Sequence, residues 1–254
     1  MATTHEQKQK KGLYALYAVA ALLAVALLAA VALLFVNSGS GNVVVAAQDD
    51  AAKLEQKKKT NEPMLDDAST SVVNLVSLMG MTQPEALAAI GHGATVQETD
   101  DPGIFGDVDE VVVLLTDEKG DSKSGTPTVV LGLGADGRVN AASYSASTWL
   151  LGYGSLSLVD AVSTFHIVEN TLAKAGLQGV ENGSVALPSK ETYSHYESDR
   201  KTLSSEECAF HGVASANGVS YLWDAEVDYD YEEANKTSNL ANTVKKITVY
   251  VARS

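Results

Sequence analysis

Residues 219–232 carry the clearest chemical pattern in the chain, an alternation of two kinds of side chain that is unbroken from position 223. Odd positions hold Val219, Tyr221, Trp223, Ala225, Val227, Tyr229 and Tyr231, and even positions hold Asp224, Glu226, Asp228, Asp230 and Glu232. Successive side chains of a strand point to opposite faces. The period therefore predicts five carboxylates along one face and an aromatic and apolar row along the other. Such an acidic row suits a cationic protein or peptide. The rival expectation is a solvated outer face, partly neutralised by Lys246, which shares the polar side of the last strand with Thr248 and Tyr250. Calcium does not fit: same-face residues on one strand stand about 7 Å apart, too far to wrap a cation, and no Asp-Gly turn with a downstream Glu follows. Neither a metal nor a cofactor is expected.

The remaining candidates for chemistry are weaker. Cys208-Ala209-Phe210-His211 has C-x-x-H spacing without a second pair of ligands, which reads as a small buried thiol, not a zinc site. His92 sits between two glycines, His166 beside Phe165, and His195 between Ser194 and Tyr196, each without a neighbouring nucleophile. Gly132-x-Gly134-x-x-Gly137 fits G-x-G-x-x-G on paper, but it opens a hairpin instead of a helix, so no phosphate cradle is expected. G-x-S-x-G, H-E-x-x-H and phosphate-loop patterns are absent. The chain therefore reads as non-catalytic; the alternative is an extracytoplasmic enzyme whose site is assembled from scattered residues.

These residues must be positioned by strands and helices. Strands are predicted at residues 109–116, 128–133, 138–144, 208–215, 219–231 and 243–252. Asp136-Gly137 and Asn217-Gly218 mark hairpin turns. A short helical run at residues 72–79 ends at Gly80. Thr82-Gln83-Pro84-Glu85 then has the form of a capping box opening a helix that stops at Gly91. A longer helix is predicted over residues 157–175, with Ala161, Phe165, Val168, Leu172 and Ala175 on one face and Gly176 ending it. Tight turns make the strands antiparallel, so the class is α+β, with helices packed on antiparallel sheet.

Gly80-Met81-Thr82-Gln83-Pro84-Glu85-Ala86, followed by Ala89-Ile90-Gly91, resembles the opening of the small-protein-A and β-lactamase-inhibitor-protein type of module. The resemblance implies a helix-loop-helix on a four-stranded antiparallel sheet, repeated in tandem in the inhibitor proteins, and a module that binds protein without catalysis. It covers about a dozen residues of the first half. The second half has Gly154-Ser155-Leu156-Ser157 near the corresponding place, and the inhibitor proteins' paired cysteines are missing. Two tandem helix-helix-sheet modules, at residues 71–150 and 151–254, are the expected arrangement.

Residues 12–36 form an uncharged apolar run long enough, at about 1.5 Å per helical residue, to cross a hydrocarbon core of about 30 Å. Lys8, Lys10 and Lys11 precede it and residues 37–52 hold no Lys or Arg, so the positive-inside bias predicts a single-pass membrane protein with residues 1–11 cytoplasmic and the C-terminal part outside. Cleavage after Ala47 is the rival; it exports the same part, but the apolar run exceeds a signal h-region. Ala20 and Ala24, or Ala26 and Ala30, have the spacing of self-associating membrane helices, which leaves a structural subunit of an envelope assembly as a further reading. Residues 37–70 read as a flexible stalk. The chain's net charge is −14. Three lysines and one glutamate in the first 36 residues leave −16 for the remainder, a field that repels nucleic acid and attracts basic partners. With Cys208 its only cysteine, the exported part forms no internal disulfide and depends on its core.

Overall fold

Eight strands make one antiparallel sheet in the computed structural model, which describes residues 64–98, 104, 105 and 108–254. The strands are β1 (Ala94–Gln97), β2 (Asp109–Leu115), β3 (Thr128–Leu133), β4 (Val139–Ser147), β5 (Ser194–Tyr196), β6 (Leu203–Ala216), β7 (Val219–Asp230) and β8 (Val244–Arg253). Their spatial order is β1-β2-β3-β4-β8-β7-β6-β5, so the last strand of the chain joins β4 to β7 at the centre. The expected α+β class holds. The expected apolar span, the cytoplasmic tail and the stalk up to residue 63 lie outside the described residues. Among the described residues, no helix is long and apolar enough to cross a membrane.

The pairing register defines two faces. Val113, Val129, Tyr144, Val249 and Ala225 face one another in a row across β2, β3, β4, β8 and β7, and all are buried. They join Leu75, Leu78, Ile90, Val162, Ile167 and Leu172 from the helical segments in one hydrophobic core. Each such apolar side chain, fully buried, contributes about 1.5–3 kcal/mol, and no disulfide supplements them. The opposite face carries the row Val112, Val130, Ser143, Tyr250, Asp224 and His211, and among the described residues no helix covers it.

The helices are α1 (Leu75–Leu78), α2 (Gln83–Ile90), a π-helical turn (Asp160–Thr164), α3 (Ile167–Lys174), α4 (Lys190–Tyr193), α5 (Glu232–Thr237) and a 3-10 turn (Leu240–Asn242). The capping box forms. The Thr82 N–H donates to the Glu85 carboxylate at 2.8 Å, with the Thr82 hydroxyl 2.9 Å from the same oxygen, and these bonds hold the Glu85 carboxyl below its usual range. The helix expected as one piece over residues 157–175 is broken. The Phe165 N–H bonds to the Asp160 carbonyl, a π-type closure, and His166 adopts a left-handed backbone with φ of 51° before α3 begins. The apolar stripe survives because Ala161, Val168, Leu172 and Ala175 stay buried on either side of the break. Residues 64–70, expected in the stalk, run against residues 150–155: the Asp66 N–H donates to the Gly152 carbonyl and that of Ser69 to the Leu150 carbonyl.

Both expected hairpins form. Asn217 and Gly218 both take positive φ, 51° and 77°, which is what a two-residue turn with the sheet's own twist requires. That turn fixes β6 against β7 without a slip from Ala216↔Val219 to Ser205↔Asp230. Gly132, Gly134 and Gly137 belong to the β3–β4 hairpin, as expected, with a register shift at Gly132 and Leu133.

Candidate functional site

The alternation in β7 does sort its side chains by face. Tyr221, Trp223, Ala225, Val227 and Tyr229 are buried on the helix side, Asp224 is exposed on the other, and Glu226, Asp228 and Asp230 are half-buried beside it. Glu232 leaves the row. The strand ends at Asp230, and Glu232 opens α5, where it pairs with Lys236 at 2.8 Å.

The flanking strands decide the electrostatics of the row. On the β8 side Asp224 faces Tyr250, Glu226 faces Thr248 and Asp228 faces Lys246, so the expected neutralising lysine is in register. Lys246 is exposed, and among the described residues no ion pair within 4 Å joins it to a carboxylate. On the β6 side Asp224 faces His211, Glu226 faces Ala209, and Asp228 faces Glu207. Two carboxylates directly opposite on neighbouring strands repel. Burial, reinforced by Glu207, pushes the Glu226 and Asp228 carboxyls above their usual range, with Lys246 opposing the shift more weakly. Negative charge on this part of the face therefore exceeds what the fold itself compensates.

Beside the row lies an apolar cleft of about 350 Å3, lined by Ile104, Phe105, Leu222, Asp224, Tyr250 and Ala252. Phe105 meets Tyr250 edge to face with ring centroids 6.4 Å apart. It also rests on Gly132, where an added Cβ would come within 3.0 Å of the Phe105 ring. The Ile104 N–H donates to the Glu110 carboxylate at 2.8 Å, and the Phe105 N–H donates to the same carboxylate. Glu110 projects on this face opposite Gly132 and anchors the two residues over it. Nothing in the sequence marks the cleft, because Phe105 is separated from β7 by more than a hundred residues and carries no periodic signal. Glu207, in contrast, follows from counting outward from the Asn217-Gly218 turn.

Cys208 and His211 do not cooperate. Cys208 pairs with Val227 on the helix side, whereas His211 pairs with Asp224 on the opposite face. Burial first, and then Glu206 and Glu207, push the Cys208 thiol up to about 11, so it stays protonated at neutral pH. His92 occupies a positive-φ turn with Nδ1 2.6 Å from the Glu118 carboxylate. His195 lies on the short edge strand β5, and His166 marks the helix break. Among the described residues, no three His, Cys, Asp or Glu side chains converge to hold a metal ion. Comparison of the chain with family models, curated proteins and solved structures finds no match to any of them.

Proposed function

We propose that the chain is a membrane-anchored, exported binding protein without catalytic activity, whose helix-free sheet face receives a protein or peptide ligand. The observation that carries the proposal is the uncompensated acidic row: Asp224, Glu226, Asp228 and Asp230, with Glu207 opposite Asp228 and Lys246 as the facing cation. A cationic ligand supplies the missing charge and relieves the repulsion, whereas a polyanion such as nucleic acid is excluded. The apolar run at residues 12–36 supports the anchor, with the N-terminus cytoplasmic, the cell membrane as location and the sheet held outside. Element order supports a tandem of two modules resembling the inhibitor-protein type. Helical segments precede β1 to β4 and again precede β5 to β8, and the final strand of each set lies at the middle of the sheet.

The test uses the full-length chain in a neutral detergent, immobilised and challenged with extract of the cell that makes it. The wild type captures a basic protein at low salt and releases it near 0.5 M, where screening lengths fall to a few ångströms. The combined Asp224→Asn, Glu226→Gln and Asp228→Asn variant captures about tenfold less. Equal capture by both proteins overturns the proposal.

A further inference from the structure

The outer edge of β6 is bare over much of its length. β5 pairs only with its beginning, through Tyr196↔Leu203, His195↔Ser205 and Ser194↔Glu206. Near its other end a single bridge joins Gln178 to Ser215, with the Gln178 N–H 2.7 Å from the Ser215 carbonyl. Ser215 thus turns its backbone groups away from β7. Because β6 runs against β7 without a slip, the period of two turns those of Ala209, His211 and Val213 outward as well. Among the described residues these outward groups have no hydrogen-bond partner, and all three residues are exposed. Folded proteins shorten, cover or charge such edges because a bare one templates pairing with another chain.

We propose that an extended basic segment of the partner protein adds to the sheet along residues 207–213 of β6, as an antiparallel ninth strand. This rests on the binding role proposed for the adjoining face. Charge and apolar surface at the edge identify the occupant. One end presents Glu207 backed by Asp228 and Glu226, and the other presents Val213 paired with Leu222, which are 65% and 49% exposed. The incoming strand therefore carries Lys or Arg opposite Glu207 and Ala209 and an apolar residue opposite Val213. Backbone bonds supply affinity and the alternate side chains supply selectivity. A second copy of this chain is the wrong occupant, since its own β6 edge holds no Lys or Arg to set opposite Glu207.

The experiment measures fluorescence anisotropy of a labelled peptide, Ile-Thr-Thr-Thr-Lys-Thr-Lys, on the full-length chain in neutral detergent. Its comparison peptide is N-methylated at the first, third and fifth residues, which keeps charge and side chains but blocks pairing. The parent peptide binds, the methylated peptide binds at least about tenfold more weakly, and Ala209→Pro weakens the parent peptide to the same degree. Proline at position 209 removes an outward N–H that the β6–β7 ladder does not use. Should that variant misfold, the peptide pair alone decides. Equal binding of both peptides overturns strand addition; if the Asp224, Glu226 and Asp228 neutralisation still weakens them, the binding face itself stands. Failure of both peptides to bind overturns strand addition, and the salt-sensitive capture assay then decides the face independently. Dimerisation that Ala209→Pro abolishes assigns the edge to self-pairing and also overturns the proposal.

Discussion

Asp228 faces Glu207 on one side and Lys246 on the other, and the balance of that small group sets how acid affects the fold. Its carboxyl is raised, first by burial and then by Glu207, so the folded state disfavours the charged form. A raised carboxylate costs nothing below its unfolded pKa, about 3.9, and its full penalty appears once pH passes the folded value. Asp228→Asn removes the penalty, so it should stabilise the protein at pH 7 by about 0.5 kcal/mol and do nothing near pH 3. Thermal midpoints at the two pH values check this, with a rise of about 1–2 °C at neutrality only. A rise of the same size at both values assigns the effect to packing. The acidic row was legible because a strand's period of two needs no partner to express it, and Glu207 was recoverable from the hairpin turn. The place of Glu232 was not, because nothing in the alternation signals that the strand gives way to a helix after Asp230.

At the scale of elements, most long strands and their turns were legible and short ones were not; β6, expected at residues 208–215, starts five residues earlier at Leu203. β3 matches its expected limits, and β7 differs from them by one residue, since both carry strong alternation or apolar runs and each has a Gly-containing turn at one end. β1 and β5 are four and three residues long and largely exposed, and their sequences carry no buried stripe. They are specified by the strands they pair with. The helix break at His166 was hidden because the apolar stripe reads through it. Gly212 illustrates an element-level constraint: it pairs with Trp223, and a Cβ added there would lie 2.6 Å from the indole ring. Gly212→Val is expected to displace that ring and destabilise the fold by about 1–3 kcal/mol, measured by urea denaturation. A change below about 0.5 kcal/mol contradicts the packing described for this end of β6 and β7.

At the largest scale, among the described residues one layer of helices and one eight-stranded sheet leave two unlike surfaces. The helix side is closed by the core. The far side combines the acidic row, the Phe105 cleft and the bare strand edge, all within β6, β7, β8 and the residues held by Glu110. The proposed anchor would fix this sheet outside the membrane, where an acidic domain without disulfides stays soluble through its charge and folded through its core. The central claim is that ligand meets the sheet face and not the helix layer. A steric block tests it most directly. Cys208 is buried and unreactive, so a single cysteine at Leu222→Cys on the sheet face or at Val159→Cys beside the π-helical turn can be loaded with a maleimide polymer. The two positions are similarly exposed, at 49% and 44%. Polymer at position 222 is expected to abolish capture of the basic partner, and polymer at position 159 to leave it intact. Capture lost at 159 and retained at 222 contradicts the claim.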